Sequence, residues 1–244
     1  MSLILSNVST EIEESSEDAI KKAMRRLGVT PRQVQKAALF KTSVDARRRP
    51  IRFVHSVSLT LASKELELQL AAQVPQTQIQ QPVALDAPQG DIPFSIRPVV
   101  VGFGPAGMFA ALYLAEQGCR PIVLERGESI DQRVQTVQSF WDGGQILESS
   151  NVQFGEGGAG AFSDGKLTTR IHDSRCRYVL EQLVRFGAPE EILTKAKPHI
   201  GTDILIQVIK NMRNAITELG GEIRFHHTLT GIDPKQKQIQ INGE

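Results

Sequence analysis

Apolar positions change their period along the chain, and the changes mark out its parts. "LILSNVST" alternates weakly, as a strand with one buried face does. Ser15 or Ser16 then offers a helix N-cap, Ile20, Met24 and Leu27 share a face at helical spacing, and Gly28 ends the run. Thr30-Pro31 starts another short turn of helix. "KAALFKTSV" and "IRFVHSVSLTLA" read as strands joined by the loop "DARRRP". This β-α-β-β order over residues 1–72 predicts a small α+β N-terminal domain of half ferredoxin-like form. Residues 73–96 then carry Pro75, Pro82, Pro88 and Pro93 among several glutamines. Proline removes a ladder donor and glutamine adds little core, so the stretch reads as a linker or extended arm.

From Arg97 onward, strands alternate with helices. The pattern predicts a strand over 98–102, a helix over 105–118 and a strand over 121–125. Helices follow over about 174–186 and 203–219, the latter carrying Ile204, Val208, Met212, Ile216 and Leu219 on one face. "GGEIRF" reads as a strand, and "KQIQI" as a hairpin-like strand. Such alternation predicts an α/β domain over 97–244 with a mainly parallel sheet.

The first of these units contains a glycine triplet, Gly102, Gly104 and Gly107, between an apolar strand run and a helix. Glu125 ends the next strand, 18 residues after Gly107. This is the context of a dinucleotide fingerprint. Gly102 makes the tight turn, Gly104 lets backbone approach a pyrophosphate, and Gly107 lets helix and strand pack closely. The helix N-terminus offers free N–H groups and a positive dipole end. Glu125 is placed to accept hydrogen bonds from ribose hydroxyls and disfavours a 2′-phosphate, which argues against an NADP-type ligand here. A second glycine loop, "FGEGGAGAFSDGK", costs chain entropy, excludes a regular helix and suggests a nest of N–H donors near a ligand.

Three stretches, "VVVGFGPAGMFAALYLAEQGCRPIVLERG", "SNVQFGEGGAGAFSDGKLTTRI" and "KPHIGTDIL", carry a resemblance over about residues 97–232. The chain resembles the glutathione-reductase-like FAD superfamily, and within it the family of FAD-dependent or NAD(FAD)-utilizing dehydrogenases. The resemblance implies a Rossmann-like FAD-binding domain, a tightly held FAD, hydride or electron transfer, and NAD(P)H as a possible co-substrate. Pro105 and Ala106 within the triplet, and Arg126 in "ERG", are typical of such flavoproteins. It also implies FAD contacts from Gly157, Gly158, Ala159 and Gly160, with Ser163, Asp164 and Lys166 near the flavin ring. Lys166 would stabilise an anionic reduced flavin. Arg133 is read either as a cofactor contact or as a solvated helix-face side chain. In this superfamily the FAD domain is completed by a later segment, so the chain reads as the N-terminal part of a longer protein, with the start of a substrate domain.

His199, in "KPHIGTD", is the candidate acid or base because its ordinary pKa lies near neutrality. Thr202 or Asp203 suits a helix cap. His226 and His227 fall on a strand, pointing to opposite faces, and make a poor metal site. Trp141 is expected in core packing or a domain contact. Composition narrows the picture little: 40% apolar and 23% charged residues suit a globular protein. A formal net charge of +1 gives no reason to expect nucleic acid or an anionic membrane as partner. No apolar run is long enough to span a bilayer, and the N-terminus is a poor signal peptide. Two distant cysteines, Cys119 and Cys176, suit a reducing cytoplasm. Arg47, Arg48, Arg49 and Arg52 concentrate in one loop, read as a solvated tip. The expected function is an FAD-dependent oxidoreductase acting on a small-molecule substrate. The alternatives are a flavin-binding module without turnover and an NAD-dependent dehydrogenase.

Overall fold

The computed structural model describes residues 1–47, 49–81, 96–169, 171, 173 and 175–244. In chain order its strands and helices are β1 (Ser2–Thr10), α1 (Ser16–Leu27), β2 (Val34–Asp45), β3 (Arg52–Leu61), α2 (Lys64–Gln73), β4 (Thr77–Gln80), β5 (Val99–Val101), α3 (Pro105–Glu116), β6 (Ile122–Leu124), α4 (Ile130–Trp141), α5 (Arg175–Arg185), α6 (Thr202–Glu218), β7 (Glu222–Arg224), β8 (Leu229–Asp233) and β9 (Gln238–Ile241). They fall into two compact units. One holds the described residues of 1–86, 168–182 and 189–198, and the other those of 87–167, 183–188 and 199–244.

The first unit has a β-α-β-β-α-β order and an antiparallel sheet ordered β2-β3-β1-β4. Helix α1 forms as its sequence dictates. Ser15 Oγ accepts from the Asp18 N–H, the Asp18 carboxylate accepts from the Ser15 N–H, and Gly28 closes the helix at φ +67°. Leu3, Leu5, Val57, Leu59 and Leu61 alternate onto the buried sheet face and pack with Ala19, Ala23 and Leu27. A bulge between Leu5 and Val8 resets the alternation, so Val8 joins the same face three residues on.

Two elements are absent from the sequence expectation, which gives residues 1–72 a β-α-β-β order and reads 73–96 as a linker. "KELELQL" alternates like a strand yet forms α2, because Lys, Glu, Leu, Gln and Ala are all good helix formers and Ser63 Oγ caps the Leu66 N–H. The alternation then buries Glu67, whose Oε1 accepts from the Leu61 N–H at 2.7 Å, and leaves Leu68 exposed. Strand β4 lies within the stretch expected to be a linker; of the rest of that stretch, residues 82–95 lie outside the described residues. A third difference concerns the described residues of 168–182 and residues 189–198, expected in the second domain but packed in the first. There the Thr42 N–H donates to the Thr194 carbonyl, the Ala196 N–H donates to the Thr42 carbonyl, and Arg177 donates to the Leu193 carbonyl.

The second unit has a parallel sheet ordered β5-β6-β7 and an antiparallel hairpin, β8-β9. Helix α3 buries Met108, Ala111, Leu112 and Ala115, and packs against α6, which buries Val208, Ile209, Met212 and Ile216. The valine run expected to be buried is not: Val99 is 40% and Val101 57% exposed. The reason is position, since β5 is the edge strand and pairs only with β6 among the described residues. "EIRFHHTL" is also not one strand. It ends at Arg224, turns with His226 at φ +59°, and resumes at Leu229. His226 and His227 therefore occupy a turn. Among the described residues no group of three or more His, Cys, Asp or Glu could hold a metal, and no helix is long and apolar enough to cross a membrane. Cys119 and Cys176 are free.

Candidate functional site

The turn from β5 into α3 explains two of the three glycines from the protein alone. Gly102 sits at φ +88°, a left-handed conformation that a side chain disfavours. A Cβ on Gly107 would lie 1.9 Å from the Gly102 carbonyl oxygen, so the first turn of α3 packs on the loop only because Gly107 has none. Gly104 is different. Its φ of −75° suits any residue, and a Cβ there would meet nothing closer than the Gly158 Cα at 4.0 Å. It is the N-cap of α3 but gives no side-chain cap, where Ser or Asp would serve better. Pro105 follows at the first helical position with no N–H to satisfy. The amides of Ala106 and Gly107 come next, at the positive end of the helix dipole.

In front of this turn lies a cleft of about 430 Å³. Gly102, Gly104, Glu125, Arg126 and Gly158, named from the sequence as cofactor-binding candidates, line it. So do Gln153, Phe154 and Gly155, at the start of the second glycine loop, and the 227–229 segment, none of which was assigned a cofactor contact from the sequence. The Arg126 guanidinium stacks 3.8 Å over the Phe154 ring. Glu125 is 5% exposed and already partnered: Oε2 accepts from the Phe103 N–H at 2.7 Å and Oε1 from the Gly127 N–H at 2.8 Å. The carboxylate thus ties the glycine turn to the end of β6, a role not foreseen.

The second glycine loop is built around a buried arginine, and here the sequence expectation needs correction. Arg133 on α4 is fully buried and lies outside the cleft lining. Its guanidinium donates to the carbonyls of Asn151, Val152, Gly155, Glu156 and Gly158 and stacks over the Phe162 ring. It is not solvated and does not line the cleft; it holds the loop. Burial pushes its pKa down to about 10, opposed by the charges of Glu125 and Glu156. Glu156 is buried as well, with Oε2 accepting from the Ile130 N–H and from Arg213. Burial pushes its carboxyl above the ordinary glutamate value.

Gly157 is also reassigned. Its N–H donates to the Phe103 carbonyl, and a Cβ there would lie 2.5 Å from Ile209 Cδ1, so it joins the two glycine loops and packs on α6. Gly155 is required for a similar reason, since a Cβ would meet Arg133 Cδ at 2.7 Å. Instead of an irregular nest, the loop forms a 3₁₀ turn over Gly158–Phe162. Ala159 is exposed there, and the space beside Gly160 is open. Ser163 Oγ donates to the Gly160 carbonyl.

Lys166 and His199, 33 residues apart in sequence, are brought together by a two-residue antiparallel bridge. Gly165 makes this possible: a Cβ there would lie 1.7 Å from the Ile200 carbonyl oxygen. Lys166 pairs with Asp164 at 2.6 Å, which raises its pKa and lowers that of Asp164. Lys166, Asp164 and His199 are all exposed, and none lines the cleft. Thr202 begins α6, but no side chain caps it. Trp141, expected in a core or contact, is 58% exposed and meets Phe162 edge-on at 6.2 Å.

This arrangement defines a βαβ unit with a glycine turn, a helix N-terminus and an acid converging on one cleft. Residues 3–60, in the other unit, match a family described as a domain of unknown function (DUF8436). Over its whole length the chain is 42% identical to a Clostridium beijerinckii protein that bears the description "Uncharacterized protein". The chain spans 46% of the length of that relative.

Proposed function

We propose that the protein is an FAD-dependent oxidoreductase of the glutathione-reductase-like superfamily, with a Rossmann-like domain over the β5-α3-β6-β7 core. The N-terminal unit, with its β-α-β-β-α-β order and β2-β3-β1-β4 sheet, is a complete ferredoxin-like domain in this reading. The single observation that carries the dinucleotide reading is Gly104. Its neighbours Gly102 and Gly107 are required by the protein itself, whereas neither backbone angle nor packing requires Gly104. A close approach by a bulky ligand group accounts for it. The open cleft, within the usual range of about 300–1,000 Å³ for small-molecule sites, and the α3 N-terminus support the same reading.

Bound FAD would supply hydride and electron transfer. The residues that would hold it are Gly104, Ala106 and Gly107 through backbone at the phosphates, Glu125 at a ribose hydroxyl, and Arg126 with Phe154 at the cleft wall. Gly158, Ala159, Gly160 and Ser163 extend this surface along the second loop. His199 is the proposed acid or base toward a small-molecule substrate, Lys166 the proposed stabiliser of an anionic reduced flavin, and NAD(P)H the proposed electron source.

A second reading, a flavin-binding module without turnover, is favoured by the exposed, ion-paired state of Lys166. The purified protein separates the two: flavin absorbance that bleaches with NADH or NADPH supports the oxidoreductase, and flavin that neither bleaches supports the module. Gly104→Val is expected to abolish flavin retention while the thermal melt stays within a few degrees. Normal flavin stoichiometry in that variant would place the cofactor elsewhere.

A further inference from the structure

The N-terminal unit carries a charged cleft that the flavin reading does not use. Arg47, Arg49 and Arg52, from the β2–β3 connection and the first residue of β3, line a cavity of about 580 Å³ with Ser9, Asp45 and Pro50. Arg47 spends Nε and Nη2 on Asp45, and Arg52 spends Nη2 on Glu11 at 3.1 Å. Arg49 has no carboxylate within ion-pair distance among the described residues. Among the described residues, the three guanidinium groups of Arg47, Arg49 and Arg52 therefore meet two carboxylates, Asp45 and Glu11, and each keeps donors that neither carboxylate uses. Exposed pairs of this kind are worth only about 0–1 kcal/mol, so they do not hold the arginines against a more highly charged anion. Guanidinium forks match phosphate oxygens in pairs, more closely than any other side chain does.

We propose that this cleft binds a compact polyphosphate, a di- or triphosphate group carried by a small molecule. Three convergent arginines exceed the needs of a monophosphate. A single-stranded nucleic acid is disfavoured on two grounds. Among the described residues the lining has no aromatic side chain for base stacking. Lys and Arg also exceed Asp and Glu only by twelve to ten over residues 1–95, which gives no basic track for a long backbone.

The test is calorimetric titration of the full chain with inorganic tripolyphosphate, beside a single-stranded oligonucleotide, in the parent protein, Arg49→Gln and Gly104→Val. Arg49 is exposed, so the first variant is expected to melt as the parent does. Saturable one-to-one binding of tripolyphosphate is expected, weaker at higher salt and about tenfold weaker in Arg49→Gln. Gly104→Val should bind it as the parent does, whatever becomes of the flavin, which keeps this result separate from the function reading. Absent binding, equal affinity in Arg49→Gln, or loss confined to Gly104→Val would each overturn the proposal. Tighter binding of the oligonucleotide than of tripolyphosphate would replace it with a nucleic-acid surface.

Discussion

At the scale of single residues, the buried arginine on α4 has the largest consequence. Five carbonyls of the 151–158 loop point at one guanidinium, and no other side chain offers as many donors in one plane. Arg133→Met should leave those carbonyls without donors and cost on the order of 3–5 kcal/mol. Arg133→Lys should recover less than half of the loss, because an ammonium has three donors and no fork. Urea denaturation midpoints of the three proteins check this; a lysine variant as stable as the parent would show that charge alone suffices. The sequence placed Arg133 just after the acid of the fingerprint, but spacing has no information about which way a helix face turns. Glu125 shows the same limit. Its type and position were legible, but its hold on the Phe103 and Gly127 amides depends on a turn closing over it.

At the scale of elements, the β5-α3 turn was legible almost in full, since strand, glycine spacing, Pro105 and helix follow local rules. Gly107 and Gly104 separate what the fold needs from what the proposed ligand needs. Alanine at Gly107 gains roughly 1 kcal/mol in helix propensity, yet its Cβ would press on the Gly102 carbonyl. Gly107→Ala should therefore destabilise by about 2 kcal/mol or more, whereas Gly104→Ala should cost no more than ~1 kcal/mol. Thermal melts of the two variants, measured without added cofactor, give the comparison; equal losses would mean that Gly104 also serves the fold. Helix α2 was not legible. Its strict alternation is a strand signal, which helix propensity, the cap at Ser63 and the pairing of Glu67 with the Leu61 amide override.

At the scale of the whole molecule, the edge of the parallel sheet is the exposed element. Strand β5 presents Val99 and Val101 to solvent, and an apolar strand edge of this kind invites pairing with other chains. Val99→Lys should raise the concentration at which the chain self-associates and leave its melting temperature unchanged, as light scattering and a melt would show. A fall in stability would mean that Val99 is packed in solution. The division of the chain was only partly visible from sequence. Residues 168–182 and 189–198 follow the glycine loop, yet they pack with the N-terminal sheet.

By itself the sequence determined the elements whose causes are local: the capped helix α1, the glycine turn into α3, the strand that leads to Glu125 and the amphipathic α6. Caps, positive-φ turns and one-face periodicity act within a few residues, so they can be read along the chain. Tertiary structure alone decided which faces were free. It buried Arg133 beneath the second glycine loop and Glu156 within it, uncovered the β5 valines, and set Lys166 beside His199. Each of these depends on groups far apart in sequence competing for the same space, donors and water, and spacing along one chain does not record that competition.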